Sequence, residues 1–188
     1  MALKTITVKE VLLIAAAELG LYDTVRSYIE EQNETGKEET EALLRCFNLV
    51  ENEVALDYLP LYAEEVVETD TGSVYYSQLS RSAVRVVKVT DEWDNDAPFR
   101  LFPEYIKTQG GRLKIRYAYA PEKKGIADES DYLTQVSPRL FAYGVAAEYC
   151  LALGIFEDAA VWDKKYKDAI TATYRAKPVR VIQSRRWV

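Results

Sequence analysis

Hydrophobic spacing changes period twice along this chain, and that switch limits the fold more than any other feature. Toward the N-terminus apolar residues recur at helical steps: Val8, Val11, Leu12, Ala15 and Leu19, then Val25, Tyr28 and Ile29, then Leu43, Phe47, Val50, Val54 and Tyr58. Between about 61 and 121 the chain turns rich in Val and Tyr, and the spacing shortens toward two. Leu113, Ile115, Tyr117 and Tyr119 alternate there with Lys114, Arg116 and Ala118, the pattern of a half-buried strand. Helical spacing then returns, with Ala159, Trp162, Tyr166, Ala169 and Thr173 on one face.

Local signals place the breaks. Thr7 and Glu10 form a capping box, and Gly20 is a helix stop. Residues 33–37, NETGK, are a polar interruption before a helix over 38–59 that Pro60 ends. Ser137 followed by Pro138 opens a helix that Gly154 closes. Gly144, Ala146 and Ala147 give that helix a small-residue surface for the close approach of another. Val84, Val86, Val87 and Val89 fall on both parities, so their strand is either covered on both faces or bulged. Four strands in an antiparallel meander are expected for the middle.

The expected fold class is α+β: a helical bundle made by the N- and C-terminal helices, with an inserted antiparallel β-sheet region and an extended C-terminal arm. Neither terminal pair of helices makes a convincing bundle alone, so both share one core. Residues 1–60 supply the first helices, 61–121 the β region, 122–174 a helical hairpin that completes the bundle, and 175–188 the arm.

Histidine is absent from the 188 residues, which removes Ser-His-Asp triads, Cys-His pairs and His-ligated zinc. Cys46 and Cys150 sit in apolar helical patterns and read as reduced core thiols, with a disulfide between them as the alternative. Asp91, Glu92, Asp94 and Asp96 crowd one loop, yet it lacks the glycine and distal glutamate of a calcium loop and reads as a solvated hairpin tip. Trp93, in the middle of those acids, either folds back onto the sheet or meets a neighbouring subunit. Glu64, Glu65 and Glu68 lie on an edge strand, where charge discourages accidental pairing. No Gly-rich phosphate loop is present and nothing supports paired-carboxylate catalysis, so no cofactor, no metal and no enzymatic activity are expected, a carboxylate-based enzyme being the competing reading. The N-terminal twenty residues read as an amphipathic helix rather than a signal peptide, because Glu10 and Glu18 interrupt them. With no apolar run of about 18 residues, no membrane partner is expected, and the cytoplasm is the expected site of synthesis.

Charge is unevenly spread. Arg175, Lys177, Arg180, Arg185 and Arg186 stand in the last fourteen residues without an acid, leaving 19 basic against 30 acidic residues, a net −11, on 1–174. The tail also carries Val179, Val181, Ile182, Trp187 and Val188, whereas disordered solubilising tails are poor in such residues. Arginine and tryptophan are favoured anchors of interfaces. A docking arm is one reading, a solvated end another, and a nucleic-acid contact a third that the acidic body opposes. Fourteen tyrosines against five phenylalanines suit half-wet surfaces, either an interface or a sheet face and core edge.

Three stretches, ETEALLRCFNLVENEVALDYLPL (39–61), RLFAYGVAAEYCLALGIFEDAAVWDKKYKDAI (139–170) and RVIQSRRWV (180–188), with the order of parts around them, resemble the head–tail connector (neck adaptor, head completion) proteins of tailed bacteriophages and prophages. The resemblance implies a virion neck protein, assembled in the host cytoplasm. It implies a homo-oligomeric ring, typically twelve-fold, under the portal protein, extending the channel for passing DNA and receiving a downstream neck or tail protein. It also implies that the C-terminal segment is the portal-binding element, with Arg175, Lys177, Arg180, Arg185, Arg186 and Trp187 as its residues.

Overall fold

The computed structural model describes residues 5–133 and 136–175. It is α+β, with helices at both ends of the chain and antiparallel sheets between. A short strand β1 (Thr5–Thr7) leads directly into helix α1 (Val8–Glu18), whose first turn is capped where Glu10 N–H donates to Thr7 Oγ1 at 3.2 Å. Val8, Val11, Leu12 and Ala15 are buried as their spacing predicts. Helices α2 (Tyr22–Glu31) and α3 (Lys37–Glu53) follow. The expected helix over 38–59 is α-helical only to Glu53. Its last turn, Val54–Tyr58, widens to a π-turn closed by Leu59 N–H donating to Val54 O at 2.6 Å. At the other end of the chain, α4 (Pro138–Ala152) starts at the Ser137 cap and turns at Gly154 (φ 75°) into α5 (Phe156–Arg175).

These helices share one hydrophobic core. It runs from Ile6 to Leu59 and resumes with Tyr132, Val136, Leu140, Phe141 and Val145, ending at Tyr166 and Ile170. Phe141 packs its ring against Phe47 at 6.0 Å and Tyr132 at 5.3 Å between centroids. The closest approach is at Gly144. A Cβ there would stand 2.6 Å from Val50 Cγ1 and 3.1 Å from the Tyr166 ring, so α3 and α5 both press on this point of α4. Cys46 and Cys150 are free, buried thiols within the helices.

The middle of the chain departs from a four-stranded meander. Strands β2 (Leu61–Thr69), β3 (Ser73–Tyr75), β4 (Ala83–Thr90), β5 (Arg100–Leu101), β6 (Tyr105–Lys107) and β7 (Gly111–Tyr119) form two three-stranded antiparallel sheets, ordered β2-β7-β4 and β3-β6-β5. The last long strand, β7, inserts between the first two long ones. β5 and β6 are two and three residues long, too short to leave a period in the sequence. Side chains from both sheets make a second core: Val74 and Ile106 from one, Val86, Val89, Leu113, Ile115 and Tyr117 from the other. The mixed parity of β4 is a matter of bulges. Its register against β7 shifts between Ala83 and Arg85 and again between Val86 and Lys88, which turns Val86 and Val89 inward and leaves Val84 and Val87 exposed.

A further strand, β8 (Glu129–Leu133), lies within the stretch expected to be only a helical hairpin, and pairs antiparallel with β1. Both partners are too short to announce themselves by alternation. Among the described residues no helix is long and apolar enough to cross a membrane.

Gly144→Val sets the stiff β-branched side chain into the α3–α5 contact, so it is expected to lower unfolding free energy by about 3 kcal/mol. Gly144→Ala gains about 1 kcal/mol in helix propensity and still shows a smaller net loss. Urea denaturation midpoints measure both, and a stabilised Gly144→Val protein would contradict the packing.

Candidate interaction surfaces

The arm residues Lys177, Arg180, Arg185, Arg186 and Trp187 lie outside the described residues, as does the side chain of Arg175, whose backbone is the last turn of α5. Trp93 is described. Its ring does not fold back onto the sheet: the residue is 74 % exposed. The loop that carries it is built by Asp91, which accepts hydrogen bonds from Trp93 N–H and Asn95 N–H at 2.9 Å each through Oδ1, and from Asn95 Nδ2 at 3.1 Å through Oδ2. Asp94 pairs with Lys114 at 2.8 Å and Asp96 with Lys88 at 2.7 Å. Three of the four crowded acids, Asp91, Asp94 and Asp96, therefore shape the turn or hold it on β4 and β7, and Glu92 is exposed. Asp91 titrates below its ordinary range: partial burial opposes this, and the hydrogen bonds from Asn95 and Trp93 outweigh it.

Edge strand β2 carries its acids on both faces. Glu64 and Glu68 point outward, while Glu65 is half-buried and accepts from Tyr117 Oη, from Ser80 Oγ at 2.6 Å and from Ser80 N–H. Burial would raise the Glu65 carboxyl, yet these donors hold it below its ordinary value. An inward carboxylate that demands those donors keeps the edge in register. The tyrosines divide between core and surface. Tyr132 donates to Leu59 O at 2.6 Å and Tyr166 to Glu53 Oε2 at 3.2 Å inside the helical core, whereas Tyr22, Tyr62 and Tyr75 are exposed.

Besides Tyr62, Val66, Val84 and Val87 on β2 and β4, apolar surface is uncovered at three places. The first is the α4–α5 turn, where Leu151, Leu153, Ile155, Phe156 and Val161 are exposed, Phe156 at 70 %. A groove of about 460 Å³ beside it is lined by Leu19, Leu21, Tyr149, Leu153, Ile155 and Trp162, with Glu18 and Asp158 as its acids. The second is the outer stripe of α3 and of the π-turn after it, where Leu49 (60 %) and Leu56 are exposed. There a groove of about 410 Å³ lies between Arg45, Asn48, Leu49 and Asn52 and the segment Pro121–Lys123. The third is the smaller sheet, where Phe102 stacks on Tyr105 at 4.8 Å and Tyr75 leans on Tyr105 at 5.7 Å. Sequence reading missed the first place. Its signal was the apolar run through Leu151, Leu153, Ile155 and Phe156, and reading Gly154 only as a helix stop passed over residues that the bundle leaves uncovered.

The most chemically loaded interior position is Glu51 on α3, 1 % exposed. Its Oε1 accepts from Ser130 Oγ at 2.6 Å and from Asp131 N–H at 3.1 Å, while Oε2 is buried without a hydrogen-bond partner. Lys124 Nζ donates to Asp131 Oδ1 at 2.6 Å, and Lys124 N–H donates to Asn48 Oδ1 at 2.6 Å. This cluster ties β8 and the segment before it to α3. Burial pushes the Glu51 carboxyl above its ordinary range, with Asp131 adding to the rise and Ser130, Lys124 and the Asp131 amide opposing it. No open cavity meets Glu51 among the grooves above, and among the described residues no three Cys, Asp or Glu side chains are grouped to hold a metal. No family model matches the chain, and no curated protein matches its sequence.

Because its carboxyl is raised in the fold, the stability tied to Glu51 is full below the free carboxylate range and fades as pH rises through the raised value. Glu51→Gln keeps an acceptor for Ser130 and never ionises. Its stability relative to the parent is expected to rise as pH climbs above the free carboxylate range in urea titrations. Parallel pH curves for the two proteins would contradict this. Glu51→Ala, which strands the Ser130 hydroxyl and the Asp131 amide, is expected to cost about 1–3 kcal/mol.

Proposed function

We propose that this chain is a structural connector of a tailed-phage neck, assembling as a ring under a portal protein and linking it to the next neck or tail protein. The resemblance of residues 39–61, 139–170 and 180–188 to head–tail connectors suggests this role. The observation that carries it is the apolar side chain left uncovered on the helical elements of one copy, on α3 and at the α4–α5 turn. Such surface on a well-packed helical core is an interaction surface in waiting. Helices α3, α4 and α5 would pack between neighbouring subunits, and Trp93 would meet a further subunit from the tip of its loop. The arm 175–188 would grip the portal through arginine and Trp187. A net −11 on residues 1–174 suits a channel for DNA, because like charge discourages sticking.

Mixing the purified protein with rings of the portal encoded beside it, followed by electron microscopy, tests this reading. An added ring of density is expected with the full chain. Deleting 175–188 is expected to leave the thermal midpoint within a few degrees and to abolish the added ring. Undiminished recruitment of the truncated protein would remove the arm from the proposal, and no added ring with the full chain would remove the connector role.

A further inference from the structure

Two of the uncovered surfaces set charged side chains of opposite sign, without ion-pair partners among the described residues, beside their apolar residues. At the α4–α5 turn the apolar residues are accompanied by Glu18, Glu157 and Asp158, and among the described residues none of these three acids is in an ion pair. On α3 the apolar stripe is accompanied by Arg45 and Lys123, which likewise have no ion-pair partner among the described residues. Glu122, the acid of that groove, is drawn to Arg81 at 3.8 Å, and Glu41 and Asp57 lie beyond the stripe's two ends. Leu49 on α3 and Leu56 in the π-turn that continues it are seven residues apart, so they lie about two turns apart along the helical segment, roughly 10 Å. The α4–α5 turn offers an apolar groove of about 460 Å³ to receive such side chains.

We infer that the α4–α5 turn of one copy docks on the outer face of α3 of the next, placing Phe156 and its neighbours against Leu49 and Leu56, and Glu157 and Asp158 toward Arg45 and Lys123. Pairing either face with itself would set like charges against one another, which opposes a two-fold dimer. Joining two different faces gives a head-to-tail contact, which closes into a ring when the rotation per step allows. The inference rests on the ring part of the proposed function and involves neither the arm nor the portal.

Cysteine cross-linking decides it, without portal. Leu49→Cys and Phe156→Cys both replace exposed side chains, and Cys46 and Cys150 are buried, so the parent protein serves as the unreactive control. With a short bismaleimide at high protein concentration, a mixture of the two variants is expected to give covalent dimer, neither variant alone is expected to, and the double variant gives a ladder. Glu157→Lys with Asp158→Lys on the Phe156→Cys protein is expected to cut the dimer several-fold. Arg45→Glu with Lys123→Glu on the partner is expected to restore it. Dimer from Leu49→Cys alone as readily as from the mixture would overturn the inference in favour of a two-fold contact. Absence of dimer in every combination would assign these faces to another protein and overturn it as well. Since portal recruitment plays no part, either result leaves the connector reading to its own test.

Discussion

Phe141 stands between Phe47 of α3 and Tyr132 of β8, and three residues on, Gly144 lets Val50 and Tyr166 meet. Everything else in the fold depends on this junction. It joins segments that the chain separates by the whole β region, so its apolar burial must offset the entropy of closing a long loop. That entropy grows only slowly with loop length, which is why an insertion of two small sheets is tolerated here. A helix with a larger residue at 144 would hold its neighbours apart and open the core.

Polar bonds then set the exit and return of the inserted region. Tyr132 donates to the carbonyl of Leu59, next to the point where the chain leaves the helices. Glu51 accepts from Ser130 and the Asp131 amide where the chain comes back, and Asn48 bonds to Lys124 on either side of its amide. A buried carboxylate is a poor source of net stability, because desolvation offsets most of what its hydrogen bonds contribute. Its effect is on register: the wrong alignment of β8 would leave Glu51 without donors.

The functional reading follows from what this packing leaves outside. The helical core uses the inward faces of α3, α4 and α5 completely, and their outer faces still carry leucine, isoleucine and phenylalanine. Glu18, Glu157 and Asp158 accompany the apolar residues at the α4–α5 turn, and Arg45 and Lys123 accompany those beside α3. Within the β region the loop acids Asp94 and Asp96 are paired with Lys114 and Lys88, and Trp93 stands exposed at the hairpin tip.

The amino-acid order by itself determined the helices, their caps at Thr7 and Ser137, the stop at Gly154, and the α+β order of parts. Those depend on spacing and on residues within four positions of one another, and the close approach at Gly144 was legible as a small-residue surface. It also set the alternation of β7 and the placing of Glu64, Glu65 and Glu68 on an edge strand. Only the tertiary structure decided that β7 lies between β2 and β4, that β1 pairs with β8, that β4 is bulged, and that Glu51 meets Ser130 about eighty residues away. Strand neighbours and buried polar partners are chosen among distant segments, and strands of two or three residues carry too little period to reveal the choice. The uncovered apolar turn was decided the same way: Leu153 and Phe156 look like core residues until the space around them is seen to be empty.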